Sequence, residues 1–356
     1  MKSILQFIPI LQWLPNYKKA HLSGDLSAGL TVGIMLIPQG MAYAMLAGLP
    51  PVFGLYASLI PQVIYALLGT SRQLSVAPVA MDSLLVAAGL GALSLSGIEE
   101  YTSMAIYLAL FMGSIQFLLG IVKMGFLVNF LSKPVISGFT SAAALIIGLS
   151  QLKHLLGAPI ENSNQIHILL GNTLEVLDQV NVYAIALGVA AILIIKAIKK
   201  WAPKIPAALV VTILGIVITY AFNLSEYGLN IVKEVPSGLP KLGLPEFSMD
   251  RFNELAPIAV TLALIAFMEA ISVAKAIEER KGLQEVRPNQ ELIAIGMANV
   301  VGSIFQSYPV TGGFSRTAVN DQAGASTPLA SIISALIVGL TLLFLTPLFY
   351  HLPKTC

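Results

Sequence analysis

Three ionisable residues lie inside long apolar runs of this sequence: Asp82, Glu269 and Arg316. A charge at bilayer depth is costly unless it is paired or wetted, which makes each a candidate for function. Arg316 belongs to the stretch Gln306-Ser-Tyr-Pro-Val-Thr-Gly-Gly-Phe-Ser-Arg-Thr-Ala-Val-Asn320. Pro309 blocks a helix from continuing through it, and Gly312-Gly313 give the backbone freedom. From Phe314 onward a short helix can start, and its first amide hydrogens have no partner within the helix. A cation beside an open helix N-terminus is a site for an anion. The alternative for Arg316 is a structural clamp on loop carbonyls.

Glu269 follows the run Thr261-Leu-Ala-Leu-Ile-Ala-Phe-Met268. It lies ~20 Å along its helix from Leu255, at ~1.5 Å per residue, too deep to reach water by bending its side chain. We read it as a proton carrier, with a neutral acid bonded to a neighbouring helix as the alternative. Asp82 stands four residues after Pro78 and reads better as a cap on the first turn of its helix, with proton coupling as its second reading. Gln39, Tyr43 and Ser315 are uncharged candidates for binding. Pro38-Gln39-Gly40 is expected to interrupt its helix and offer an amide to a ligand. Gly29-xxx-Gly33 reads as a close-packing face.

Helices must carry these groups through a membrane. Of the 356 residues, 56% are hydrophobic and only 11% charged, against about 25% charged in a soluble domain. Spans of ~20 apolar residues cross the hydrocarbon layer. They fall near 25–46, 52–69, 78–96, 102–122, 134–152, 180–197, 205–222, 255–275, 289–306, 313–325 and 328–349. About eleven crossings follow, the third and tenth being short and preceded by extended, proline-bearing stretches. Residues 1–24 read as an interfacial segment with Trp13 and Tyr17 at headgroup level, not as a cleavable signal. The four histidines and the single cysteine, Cys356, stand far apart, so neither a metal centre nor a cofactor is expected. Basic residues form short clusters between spans, which speaks against nucleic acid. No G-x-S-x-G, H-E-x-x-H or P-loop pattern occurs, so hydrolysis and nucleotide-driven pumping are not expected.

With the N-terminus inside, 14 basic residues fall on the inner side and 5 (Lys153, Lys233, Lys241, Arg251, Lys354) on the outer, Arg316 being the twentieth. That asymmetry predicts a cytoplasmic N-terminus. A weak internal echo also runs through the chain. Ser75-Val-Ala-Pro78-Val-Ala precedes the third span as Ser307-Tyr-Pro309-Val-Thr-Gly precedes the tenth. The offset is seven spans, an odd number, so the second copy is inverted. Paired interrupted segments in corresponding positions point to a binding site at an inverted-repeat interface.

The run Pro51-Val-Phe-Gly-Leu-Tyr-Ala-Ser-Leu-Ile-Pro-Gln-Val-Ile-Tyr-Ala-Leu-Leu-Gly-Thr-Ser-Arg72 resembles the pattern of the sulfate permease (SulP, solute carrier 26) family, departing at Phe53, where the pattern has tyrosine. Leu36-Ile-Pro-Gln-Gly-Met-Ala-Tyr-Ala44 and Gly313-Phe-Ser-Arg-Thr-Ala318 are similar to further family motifs. The resemblance implies an all-α polytopic fold of seven plus seven inverted spans, its second repeat incomplete here, with short strands before spans 3 and 10. It implies a transmembrane domain over 25–356, with a transport core at 25–125 and 255–350 and a gate at 134–222. It implies an anion site built by Gln39, Tyr43, Pro78, Val79, Ser315 and Arg316, with Glu269 at the acidic position tied to proton coupling. Sodium-coupled bicarbonate relatives have aspartate there and threonine one turn later. Val273 stands at that later position here and argues against a sodium cage.

The resemblance further implies a homodimer in the full-length family, residence in the cell membrane, and three more helices and a cytoplasmic STAS domain beyond the end of this chain. The expected activity is secondary active transport of a small inorganic anion, with proton-coupled sulfate uptake as first choice. Exchange or transport of bicarbonate or another anion, channel-like conduction, and a non-functional fragment are the other readings. Enzyme activity is not expected.

Overall fold

The computed structural model describes residues 8–93, 95–126, 141, 145, 148–149, 151–158, 160, 166–202, 207–243, 249–282 and 286–355. The expected span at 134–152 lies largely outside the described residues, as do Lys2, Lys133, Lys204 and Glu161. The chain divides into two compact units, residues 1–131 with 238–342 and residues 132–237 with 343–356.

The first unit opens with the short helix α1 (Ile10–Trp13) and continues into α2 (Lys19–Leu46). The extended conformation of Lys18 marks the start of α2, six residues before the expected one. α2 also runs through Pro38, so the expected interruption at Pro38-Gln39-Gly40 does not occur. Proline removes one donor and one helical bond, and packing on both flanks holds the remainder. Gly40 instead serves contact: a Cβ on Gly54 would sit 1.9 Å from the Gly40 carbonyl oxygen. Gly29 and Gly33 behave as the spacing predicts, since a Cβ on either would strike Ile333 or Ile337 of a later helix at under 3 Å.

The expected span 52–69 is two helices, α3 (Pro51–Ala57) and α4 (Ile60–Leu68), bent at Ser58–Leu59. Two strands of two residues each follow in the places expected: β1 (Val76–Ala77) before α5 (Ala80–Gly91), and β2 (Thr311–Gly312) before a short helix at Phe314–Gln322. Between them run α6 (Ile98–Ile121), α11 (Met249–Lys281) and α12 (Pro288–Ile304). The unit closes with α14 (Leu329–Leu340). Its buried core is built from Leu74, Val76, Met104, Leu108, Leu262, Phe267, Leu292 and Tyr308, among others.

The second unit holds α7 (Leu152–Leu156), α8 (Ile166–Glu175), α9 (Val182–Trp201) and α10 (Ala207–Ala221). Asn181 caps α9 by accepting from the Ala184 amide, and its own side-chain amide donates to the Tyr227 carbonyl. Ile231 and Pro353 pair in an isolated antiparallel bridge.

Five helical segments among the described residues are long and apolar enough to cross a bilayer: Lys19–Leu46, Pro51–Leu68, Ile98–Ile121, Met249–Lys281 and Leu329–Phe349. The expected third and tenth spans are not full crossings. They shrink to 12 residues at Ala80–Gly91 and 9 at Phe314–Gln322, preceded by the two strands. At 1.5 Å per residue, roughly 18 Å and 14 Å of helix cannot cross a ~30 Å hydrocarbon layer.

Candidate functional site

β1 and β2 pair antiparallel, with Val76 opposite Gly312 and Ala77 opposite Thr311. α5 and the helix at Phe314–Gln322, α13, therefore leave the ribbon from opposite ends. Neither first turn carries a side-chain cap, the preceding residues being Val79 and Gly313. Each N-terminus presents about half a positive charge.

Side-chain amides and hydroxyls from the surrounding helices hold this unusual backbone. Asn299 of α12 accepts from the Val310 amide (2.9 Å) and donates to the Val310 carbonyl (3.0 Å). Thr311 donates to the Ala266 carbonyl of α11 at 2.7 Å. From α13, the Thr317 hydroxyl accepts from the Ser75 amide, and Asn320 donates to the Gln73 carbonyl at 2.8 Å. The far end of α13 is fixed by Asp321, which pairs with Arg280 and Lys281. A non-helical backbone at membrane depth needs such partners, because no water there can supply them.

Arg316 is 1% exposed and reaches across the ribbon. Its guanidinium donates to the Pro78 carbonyl (2.6 Å) and the Ala77 carbonyl (3.0 Å), while Nε has no hydrogen-bond partner. The clamp geometry considered for this residue is therefore present, and the positive charge still lies between the two half-helices. Glu269, Tyr43 and Tyr308 are the titratable groups around it. The Gln39 side chain lies against the Tyr43 hydroxyl. The Tyr308 hydroxyl and the Ser83 hydroxyl are 3.1 Å apart.

Asp82 is fully buried in the first turn of α5, yet neither carboxylate oxygen has a hydrogen-bond partner among the described residues. It makes no cap, so the capping geometry expected of it is absent. The neighbouring charge that acts on it is Glu269, itself half-buried with an unpartnered Oε2. Pro78 is buried with its carbonyl engaged by Arg316, and Val79 is half-buried. Ser315 is exposed at the start of α13, next to Phe314, which is 64% exposed. Gln39, Tyr43, Pro78, Asp82, Glu269 and Arg316 thus share one neighbourhood, and Ser315 borders it on the open side.

Sequence reasoning passed over the residues that hold the ribbon. Asn299 was the readable signal, being an amide alone in the apolar run Ile295-Gly-Met-Ala-Asn-Val-Val301. Two further buried acids also escaped notice. Asp25 accepts from the Ser326 and Thr327 amides, the Thr327 hydroxyl and the Tyr17 hydroxyl. Glu291 accepts from the Tyr65 hydroxyl, the Thr70 amide and hydroxyl, and the Ser71 amide. Both are satisfied loop anchors.

Paired half-helices meeting at a short ribbon, within a multi-pass helical protein, define a membrane protein of the discontinuous-helix class. Comparison with known proteins narrows that class. Residues 22–356 match the sulfate permease family, and the chain belongs to it. It is 39% identical over 355 residues to the chloroplastic sulfate transporter 4.1 of Arabidopsis thaliana, covering 97% of this chain and 51% of that protein. It is 35% identical to the sodium-independent sulfate anion transporter of Bos taurus, covering 99% of this chain and 63% of that one.

Among solved structures, it superposes on murine solute carrier 26 family member A9 in the inward-facing state with a TM-score of 0.91, at 28% identity, covering 99% of this chain and 62% of that one. The transmembrane domain of the cyanobacterial bicarbonate transporter BicA gives 0.84 at 26% identity, covering 95% of this chain and 87% of that one. The chain spans about half the length of the plant relative and under two thirds of the bovine one.

Proposed function

We propose that this chain forms the membrane part of a secondary active transporter for a small inorganic anion, with sulfate as the favoured substrate and Glu269 as the proton-coupling acid. The observation that carries the reading is the ribbon itself: two uncapped half-helices start beside four paired residues, and the buried Arg316 of one reaches the Ala77 and Pro78 carbonyls just before the other. Two half-charges and Arg316 together offer about +2, which suits a divalent oxyanion. Gln39, Tyr43, Val79 and Ser315 line its approach in this reading, and Pro78 contributes by orienting Arg316. The first unit would be the transport core and the second part of the gate, in a homodimer of full-length chains seated in the cell membrane.

The likeness to a bicarbonate transporter's membrane domain supports a second substrate, bicarbonate. Val273 is 4% exposed and offers no oxygen, which argues against sodium as its driver. Titration calorimetry on the purified chain separates the two anions. Sulfate is expected to bind more tightly than bicarbonate at equal ionic strength, with binding strengthened as pH falls. Bicarbonate binding alone would replace sulfate as the substrate, and no anion binding at all would refute the reading.

Orientation is tested independently. A reporter fused after Lys200 is expected to read cytoplasmic, because Lys196 and Lys200 belong to the inner basic set. An external signal would overturn the proposed topology.

A further inference from the structure

Away from the ribbon, the first unit contains a cavity of ≈ 470 Å³ near its N-terminal segment. Trp13 and Asn16 border it on one side, Thr70 and Arg72 on another, and Arg287 and Thr327 on a third. The wall is strongly biased toward binding negative charge. Arg72 and Arg287 come from two separate loops, and among the described residues no carboxylate lines the space. Two helices also begin beside it, α12 after Arg287 and α14 after Pro328. The buried acids behind the wall, Asp25 and Glu291, already hold four hydrogen bonds each and are turned toward the loop amides.

We propose that this cavity binds the phosphate of an anionic phospholipid headgroup. Guanidinium groups match phosphate oxygens in a planar, two-point geometry. The segment that forms one wall favours lipid as the source over free phosphate. Leu11 and Leu14, flanking Trp13, are 45% and 53% exposed, giving α1 an apolar surface along which acyl chains can lie. The Trp13 indole N–H has no acceptor among the described residues, and tryptophan is the side chain favoured at headgroup depth. Basic cavities between membrane helices on the cytoplasmic side are suited to such headgroups, and this one lies on the side that the charge asymmetry assigns to the cytoplasm.

The chain contains only two tryptophans, Trp13 and Trp201. Trp201→Phe therefore leaves Trp13 as a single fluorescent reporter in the cavity wall. The chain carrying that change is reconstituted in phosphatidylcholine vesicles with rising fractions of brominated phosphatidylglycerol or brominated phosphatidylcholine. Quenching by the anionic lipid is expected at a mole fraction about 30-fold lower, the preference two basic residues supply near an anionic headgroup. Arg72→Gln with Arg287→Gln should remove that preference. Arg287→Gln alone, which leaves Arg72 in place, should reduce it to about 5-fold. Equal quenching by the two lipids overturns the proposal. So does a preference that survives undiminished in the double variant, or displacement by millimolar inorganic phosphate without any lipid preference.

Discussion

Arg316→Ala is expected to abolish anion binding, with a loss of affinity of about 30- to 4,000-fold, corresponding to ~2–5 kcal/mol for a desolvated charge partner. The structure adds a second consequence. The guanidinium holds the Ala77 and Pro78 carbonyls; Ala77 keeps its ladder pairing with Thr311, so removal of the guanidinium leaves the Pro78 carbonyl as a buried acceptor without that partner at the join between β1 and α5. Such a loss costs about 1–3 kcal/mol where water cannot reach. The variant should therefore unfold at a lower temperature as well as fail to bind, and the two effects need separating. Arg316→Lys does so. A lysine can reach one carbonyl and keeps the charge, but it lacks the fork that spans both. Stability close to the parent with binding still weakened at least tenfold would assign the guanidinium to the anion. Recovery of both together would make Arg316 a structural clamp alone. Thermal unfolding followed with calorimetry on the same samples reads both quantities.

The ribbon was legible because its breakers are local. Pro78 and Pro309 forbid helix where they stand, and the repeated small-Pro-Val pattern marks the two places as equivalent. Antiparallel pairing of Val76 with Gly312 then follows from an inverted repeat. What the sequence conceals is how such a backbone is satisfied. Asn299, Thr311, Thr317 and Asn320 lie far from Gln73 and Ser75 along the chain, and only the folded arrangement shows that their polar atoms meet the ribbon's free groups.

The misreadings have related causes. Pro38 looks like a break in α2, but a proline flanked by tightly packed turns costs one hydrogen bond and no more. Gly40 beside it, read as part of the same interruption, marks where α2 crosses α3 at backbone distance. Asp82 has the position of a cap without its geometry, since neither of its carboxylate oxygens meets an α5 amide. A side chain's direction is set by tertiary packing, which spacing along one helix does not encode. Asp25 and Glu291 lie close to span ends, where acids are common, and nothing local reveals that each ties down a distant loop.

Glu269→Gln is expected to keep anion binding while removing its dependence on pH and the capacity for concentrative uptake, leaving exchange intact. The Glu269 carboxyl is half-buried on α11, has an oxygen without a hydrogen-bond partner among the described residues, and interacts electrostatically with Arg316. With no anion at the site, the guanidinium charge favours the ionised acid. An anion at Arg316 cancels part of that charge and favours the protonated acid. Anion and proton then promote each other's binding, and the effect is equal in both directions because both describe one coupling free energy. Affinity in the parent should thus tighten as pH falls. Glutamine has the shape and neutrality of the protonated acid, so the variant should bind at every pH as the parent does in acid. Asp82 provides the internal control: it is the second unpartnered carboxylate in contact with this field. Anion affinity measured against pH for the parent, Glu269→Gln and Asp82→Asn discriminates between them. An unchanged pH profile in Glu269→Gln, together with a flat one in Asp82→Asn, would move the coupling proton to α5.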